Sequence, residues 1–169
     1  MCTRIRHAFA ASMLMMASIS VAAELPSNMP KRRPGLWEMQ MSTNKGAAPN
    51  LPRECSDETT NLDVETKIAK HGANCSKWDF RANGSDVVLD SVCQQGEVTV
   101  TNHTEMHFDG DTAYTQTSHL HYQPAMFGDT EGNLKIASRW LGPCAAGQKG
   151  GDMIDAHGKV IGNVKELLN

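Results

Sequence analysis

Cys75-Ser-Lys-Trp-Asp-Phe-Arg-Ala-Asn-Gly-Ser-Asp-Val-Val-Leu-Asp-Ser-Val-Cys93 reads as a β-hairpin with a cysteine at each foot. Asn83-Gly84 is a strong short-range hairpin signal, because both residues tolerate the positive φ of a tight turn. Trp78 and Phe80 alternate with Lys77, Asp79 and Arg81, so one face is apolar and the other charged. A two-residue Asn83-Gly84 turn pairs Arg81 with Asp86, Lys77 with Asp90 and Trp78 with Leu89. That register sets Cys75 opposite Val92 and leaves Cys93 facing the wrong way. A three-residue turn brings the cysteines together and spoils the charge pairs. Turn and feet agree only if one arm carries a bulge, expected near Asp90-Ser91.

The chain has five cysteines, of which Cys2 belongs to an N-terminal leader. The remaining four, Cys55, Cys75, Cys93 and Cys144, imply two disulfides in an oxidising compartment. Hairpin geometry does not settle the pairing; it favours Cys75–Cys93, and with it Cys55–Cys144. With no Cys-x-x-Cys, neither a thioredoxin-like redox site nor a zinc ribbon is indicated.

The leader, residues 1–23, has the three parts of a secretory signal. Arg4 and Arg6 supply the charge, Ala8 to Val21 the apolar run, and Val21-Ala22-Ala23 the small residues of a cleavage site. The apolar run, about 14 residues, is shorter than the roughly 20 needed to span a bilayer, and no later stretch of the mature chain comes close. Loss of Arg4 and Arg6 moves the formal charge from −3 to −5. A mildly acidic domain is a poor binder of nucleic acid, which needs clustered Lys and Arg. The one basic cluster, Lys31-Arg32-Arg33, reads as a solvated part of an extended, proline-containing lead-in over 24–34.

Further along, Gly35 to Met41 reads as a strand with Trp37, Met39 and Met41 on one face, and 44–52 as loop. Ser56 can cap a first helical turn after Cys55, and Asp63 a second over Val64 to His71, closed by Gly72. Glu97 to Phe108 and Thr112 to Tyr122 form a longer hairpin around Asp109-Gly110-Asp111. A three-residue loop keeps Val98, Val100, Met106, Phe108, Tyr114, Leu120 and Tyr122 on one face, pairing Phe108 with Thr112 and Val100 with Leu120. Pro124 to Gly132 reads as loop, and Leu134 to Trp140 as the last strand. Ala145 to Gly151 reads as flexible, and the apolar spacing over 159–168 as an amphipathic helix. The expected fold is mainly β: a curled antiparallel sheet, meander or partial barrel, over 35–144, with one short helix after Cys55 and a tail over 145–169 ending in a second.

Arg33-Pro34-Gly35-Leu36-Trp37-Glu38, Cys55 heading a helix, Cys75 with Trp78 and Phe80, Cys93, Phe108-Asp-Gly-Asp and Leu141-Gly-Pro-Cys144 together form a spaced pattern. In it the chain resembles the bacterial family called domain of unknown function 3617, from about Arg33 to Cys144. The resemblance implies an exported, cell-envelope protein of mostly β structure, here in the periplasm of a Gram-negative bacterium. It carries over no activity, cofactor or catalytic residue.

Chemistry-bearing residues are sparse. No serine sits in a Gly-x-Ser-x-Gly elbow, and no cysteine of the mature chain is left free, so no enzyme and no cofactor are expected. His103, His107, His119 and His121 share the odd face of the long hairpin, with His103 diagonal to His119. A solvated polar face is the plain account of them; the alternative is a Zn or Cu site using His103, His119 and His121. Trp37, Trp78, Tyr114 and Trp140 are candidate walls of a groove for a small apolar ligand or an envelope protein, or fill the core. The expected function is therefore a binding or structural module without catalysis.

Overall fold

The computed structural model describes residues 25–48, 51–61, 67 and 75–167. The expected leader, the cap at Asp63 and the helical turn through Val64, Ile68, Lys70, His71 and Gly72 lie outside the described residues.

Among the described residues the fold is one open antiparallel sheet with helical residues after Asp57 and again near the end of the chain. Its strands are β1 (Gly35–Thr43), β2 (Gly46–Ala47), β3 (Arg53–Ser56), β4 (Cys75–Asn83), β5 (Asp86–Gln95), β6 (Val98–Asp109), β7 (Ala113–Met126), β8 (Asp129–Gly142), β9 (Asp152–Ile154) and β10 (Val160–Asn163). The spatial order is β10-β9-β3-β1-β8-β7-β6-β5-β4, with β2 paired to β1 beside this path. The expected meander is β4 to β8. β1 closes onto β8, so the first strand of the chain lies at mid-sheet and separates the meander from the small strands. The sheet ends at β4 and β10, which makes it an open sheet rather than a barrel.

Both disulfides form as expected, Cys55–Cys144 and Cys75–Cys93. In the hairpin Asn83 pairs with Asp86, so the two turn residues are Gly84-Ser85 rather than Asn83-Gly84. Gly84 takes φ +61, and Ser85 is not among the residues with positive φ. This is the pattern of a type II′ turn, whose first central residue is glycine. The shifted turn reverses the mismatch with the feet. The extra residue falls in β4, between Cys75 and Lys77, and not at Asp90-Ser91. Asp79 now stands opposite Asp90, and the Arg81 guanidinium bonds both carboxylates, offsetting the repulsion of two directly opposed acids.

The long hairpin keeps the expected three-residue loop but slides it by one position. Asp109 pairs with Ala113 and Phe108 with Tyr114, leaving Gly110-Asp111-Thr112 in the loop, with Gly110 at φ +60. Asp111 is held there by Arg33, whose backbone N–H donates to the Asp111 carbonyl (2.8 Å) and whose Nε donates to its carboxylate (3.0 Å). A loop of odd length preserves parity, so the expected faces survive although every cross-strand partner changes.

Three further expectations are corrected. Residues 124–132 are not a loop: β7 runs on to Met126 and β8 begins at Asp129. Pro124 is tolerated because β6 stops pairing with β7 at Gln123, so the missing N–H breaks no bond to β6. The helix after Cys55 is preceded by a strand, β3, and is capped by Asp57 rather than Ser56. The Asp57 carboxylate accepts from the Thr60 N–H (2.7 Å) and hydroxyl (2.8 Å), and these bonds hold its pKa below the ordinary range. The tail does not end in one amphipathic helix over 159–168. Asp155 turns the chain by accepting from the His157 and Lys159 N–H groups, and the β-branched Val160-Ile161 then extends the sheet as β10. The helix that follows spans only Val164–Leu167.

The basic lead-in is solvated only in part, since Lys31 and Arg33 are exposed but Arg32 is not. The Arg32 side chain, 15 % exposed, reaches Glu54 (3.4 Å), Ser56 (3.4 Å) and Asn61 (2.9 Å) and lies 5.5 Å from the Trp37 ring. Arg33 lies 5.2 Å from the Trp140 ring. Both cations clamp the lead-in over aromatic rings. Gly35 then lets the chain enter β1. It takes φ +143, and a side chain there would strike the Trp140 indole and the Gly142 carbonyl.

Candidate functional site: a polar cluster on the apolar face

Strand alternation and the observed registers sort the meander into two faces. One carries the charges and the histidines. The other carries the aromatic and aliphatic side chains, and with them a group that the sequence reading placed on no face.

On the charged face the four histidines are together, as expected. His103 and His119 stand directly opposite each other, not diagonally, because the loop has moved by one pair. Each ring is bonded to the strand beside it. His103 Nδ1 lies 2.6 Å from Asp90, His107 Nδ1 2.6 Å from Asp86, His119 Nδ1 2.7 Å from Asn133 and His121 Nδ1 2.6 Å from Glu131. The rings therefore point toward the flanking strands and not toward one point between them. Among the described residues no three His, Cys, Asp or Glu side chains are grouped to hold a metal ion. The convergence of His103, His119 and His121 entertained as an alternative is not found there.

One pair on this face is electrostatically tuned. The hydrogen bond to Asp90, more than that to Glu105, holds the His103 pKa above its ordinary value against the opposing effect of burial. The same bond, followed by the one from Arg81, holds Asp90 below the ordinary range. A raised histidine contributes stability that is complete below about pH 6.5 and is lost as pH rises through its folded pKa. A depressed aspartate contributes stability that is complete above about pH 4 and is lost as pH falls through its folded pKa. The pair is expected to support the fold most between about pH 4 and 6.5. In urea titrations the wild-type midpoint should drop between mildly acidic and mildly alkaline pH, and His103→Asn should flatten that drop. The change will be small, because His103 is half-exposed and solvent screens the pair. Identical slopes in the two proteins would refute this assignment.

The opposite face holds the aromatic side chains in two groups. Trp37 is 2 % exposed, donates from Nε1 to the Arg33 carbonyl (2.8 Å), and lies 6.2 Å from the Tyr114 ring, which in turn lies 5.4 Å from Phe108. Buried Ser138 on the intervening β8 leaves room for the Trp37 and Tyr114 rings to meet. Trp140 pairs with Trp37 across β1 and β8 and donates to the Pro34 carbonyl (3.1 Å). Trp78 does not join them. It sits on edge strand β4, stacked on Phe80 at 6.3 Å, and its buried indole N–H has no hydrogen-bond partner among the described residues. Of the four candidate wall residues, three gather on β1, β8 and β7 at mid-sheet and one stands at the β4 edge.

Between these two groups lies a polar cluster. The Thr104 hydroxyl lies 2.7 Å from the Ser118 hydroxyl and donates to Asn102 Oδ1 (3.1 Å), and Gln116 Nε2 donates to the Ser118 hydroxyl (3.1 Å). Thr104 and Ser118 are 6 % and 3 % exposed, and Ser91 beside them is 4 % exposed. Half-buried Leu89, Met106, Leu120, Leu134 and Ile136 stand around the cluster on four adjacent strands. Small hydrogen-bonded polar groups at the middle of an apolar sheet face, ringed by larger aliphatic side chains, are the composition of a site that orients an apolar ligand by one polar end. The signal was present in the alternation of β6, where Val98 and Val100 are followed by Asn102 and Thr104 before Met106 and Phe108 resume the apolar pattern.

The architecture defines a small all-β domain in which two disulfides staple the two ends of one open sheet. Within that class the chain belongs to the family described as "Protein of unknown function (DUF3617)", whose pattern matches residues 32–144. The matched span opens at Arg32, which clamps the lead-in, and closes on Cys144, which pins the end of β8; β9 and β10 lie outside it. No curated protein and no solved structure matches the chain.

Proposed function

We propose that this chain is an exported, periplasmic protein of the bacterial cell envelope that acts as a binding module without catalysis. Its ligand on this reading is a small, largely apolar molecule with one hydrogen-bonding end. The observation that carries the reading is the Asn102–Thr104–Ser118–Gln116 cluster set within the apolar face. An apolar face whose only task is to fill a core gains nothing from buried hydroxyls and amides at its centre, since each must find a partner there. Export is supported by the leader over residues 1–23 and by four cysteines all joined in disulfides, which persist in an oxidising compartment.

Native mass spectrometry of the protein purified from its own envelope tests the binding reading. A retained mass that is lost on Ser118→Val or Thr104→Val supports it. A clean apo mass from freshly isolated envelope would leave only a structural role. Export is tested separately: the intact mass should lack residues 1–23, and the protein should leave the cell with the periplasmic fraction.

A further inference from the structure

The β7–β8 hairpin reaches beyond both of its neighbours. Pairing of β7 with β6 ends at Gln123, and pairing of β8 with β1 ends at Leu134, so residues 124–133 project past the flanking strands. Its tip is Pro124-Ala-Met-Phe-Gly-Asp129. Met126 pairs with Asp129, leaving Phe127 and Gly128 as the turn, with φ +52 and +86. Two positive φ values are those of a type I′ turn, for which Asn-Gly is the favoured pair. Phe127 is the one non-glycine residue with positive φ among the described residues, and it is 96 % exposed. A bulky aromatic is disfavoured here twice over, by its backbone conformation and by its full contact with water. Pro124 and Ala125 beside it are exposed as well.

The acidic side chains nearest the tip are held by neighbours at its base. Lys45 on the β1–β2 turn bonds Asp129 at 2.6 Å, and Glu131 bonds His121 at 2.6 Å. What the tip offers is therefore a narrow, convex, apolar point beyond these side chains. A convex point of this size buries too little area for a stable protein interface, which needs well over 1,000 Å² by the usual order of magnitude. It suits a deformable apolar phase instead.

We propose that the Phe127 hairpin tip inserts into the acyl region of a lipid bilayer, as an accessory contact of the protein with a membrane surface. This is independent of the binding reading above, because the tip lies outside the polar cluster and its strands' shared face. Insertion of this kind is carried by apolar burial and not by charge, so it should persist in high salt and on vesicles lacking anionic lipid.

The test is cosedimentation of the purified full mature chain with phosphatidylethanolamine–phosphatidylglycerol vesicles, and with phosphatidylcholine vesicles. The wild type should partition onto both, with little effect of salt. Phe127→Asn should weaken partition by about tenfold or more, the loss expected for one fully buried phenyl group. The same variant should unfold at a urea concentration no lower than wild type, because Asn-Gly suits the turn better than Phe-Gly. Phe127→Leu should retain most of the partition. Equal partition of wild type and Phe127→Asn overturns the proposal, as does binding confined to anionic vesicles at low salt. A wild-type protein that stays in the supernatant overturns it too.

Discussion

Replacing both Cys55 and Cys144 with alanine should lower the unfolding free energy by about 4–5 kcal/mol, read from the urea midpoint and a slope that rises as the freed unfolded chain exposes more surface. The bond closes a separation of 89 residues, so its loss frees a long loop in the unfolded chain. The topology adds a second reason. β3 is held to β1 by three residue pairs, Gly35 to Trp37 against Glu54 to Ser56, and β9 is held to β3 by two. The disulfide anchors that outer group at Cys55, which is 2 % exposed and whose carbonyl also receives the Gly151 N–H (2.7 Å). Limited proteolysis of the variant should accordingly cut first within residues 145–163. Removing Cys75 and Cys93 instead should have a smaller effect, about 3 kcal/mol, because that loop spans 18 residues. A reversed order of the two effects would mean that loop closure is not what these bonds contribute.

Trp37→Ala should cost about 3–5 kcal/mol, the range for truncating a fully buried large aromatic. Trp37 joins three otherwise separate parts of the chain. Its ring packs on Tyr114 of β7, its N–H fixes the Arg33 carbonyl of the lead-in, and the Arg32 guanidinium lies over its face. Trp37→Phe should cost less, keeping the ring contact and losing the hydrogen bond. Trp78→Ala is the informative comparison: its half-buried ring lies on an edge strand and its N–H has no partner to lose among the described residues. Both variants can be followed by urea unfolding monitored in the far-UV, which does not depend on the tryptophan removed. Equal destabilisation by Trp37→Ala and Trp78→Ala would contradict the placement of the core around β1 at mid-sheet. Since small domains are stable by only about 5–15 kcal/mol in total, either of these two leading substitutions removes a large share of the fold's stability.

The candidate site was half legible. The face shared by Val100, Met106, Phe108, Tyr114 and Tyr122 could be read from alternation, because a strand's side chains have period two whatever the strand pairs with. The polar cluster on that face could not be assigned a meaning. Asn102, Thr104, Gln116 and Ser118 become a hydrogen-bonded group only once β6 and β7 are set side by side in one register. The histidines show the same limit in reverse. Their common face was legible, but their partners Asp86, Asp90, Glu131 and Asn133 lie on β5 and β8, and cross-strand neighbours decide whether rings converge or diverge. Phe127 is not legible as a strand tip, because Pro124 and Gly128 read as breakers in a segment that runs as strand to the turn.

By itself the sequence determined a mainly β domain, the two hairpins, the odd length of the second loop and the favoured pairing of its cysteines. All of these follow from local alternation, turn residues and the spacing of four thiols. Tertiary structure alone decided the position of each turn, the bulge in β4, the clamp made by Arg32 and Arg33, and the joining of the tail to the sheet. Those depend on contacts between residues far apart in the chain. Asp111 takes its place because Arg33 binds it, and β9 forms because β3 offers an edge. The Cys75–Cys93 hairpin shows both limits at once. Its ends and its alternation were written in the sequence, and the single residue that reconciles them, Ser76, was placed by the turn the folded chain adopts.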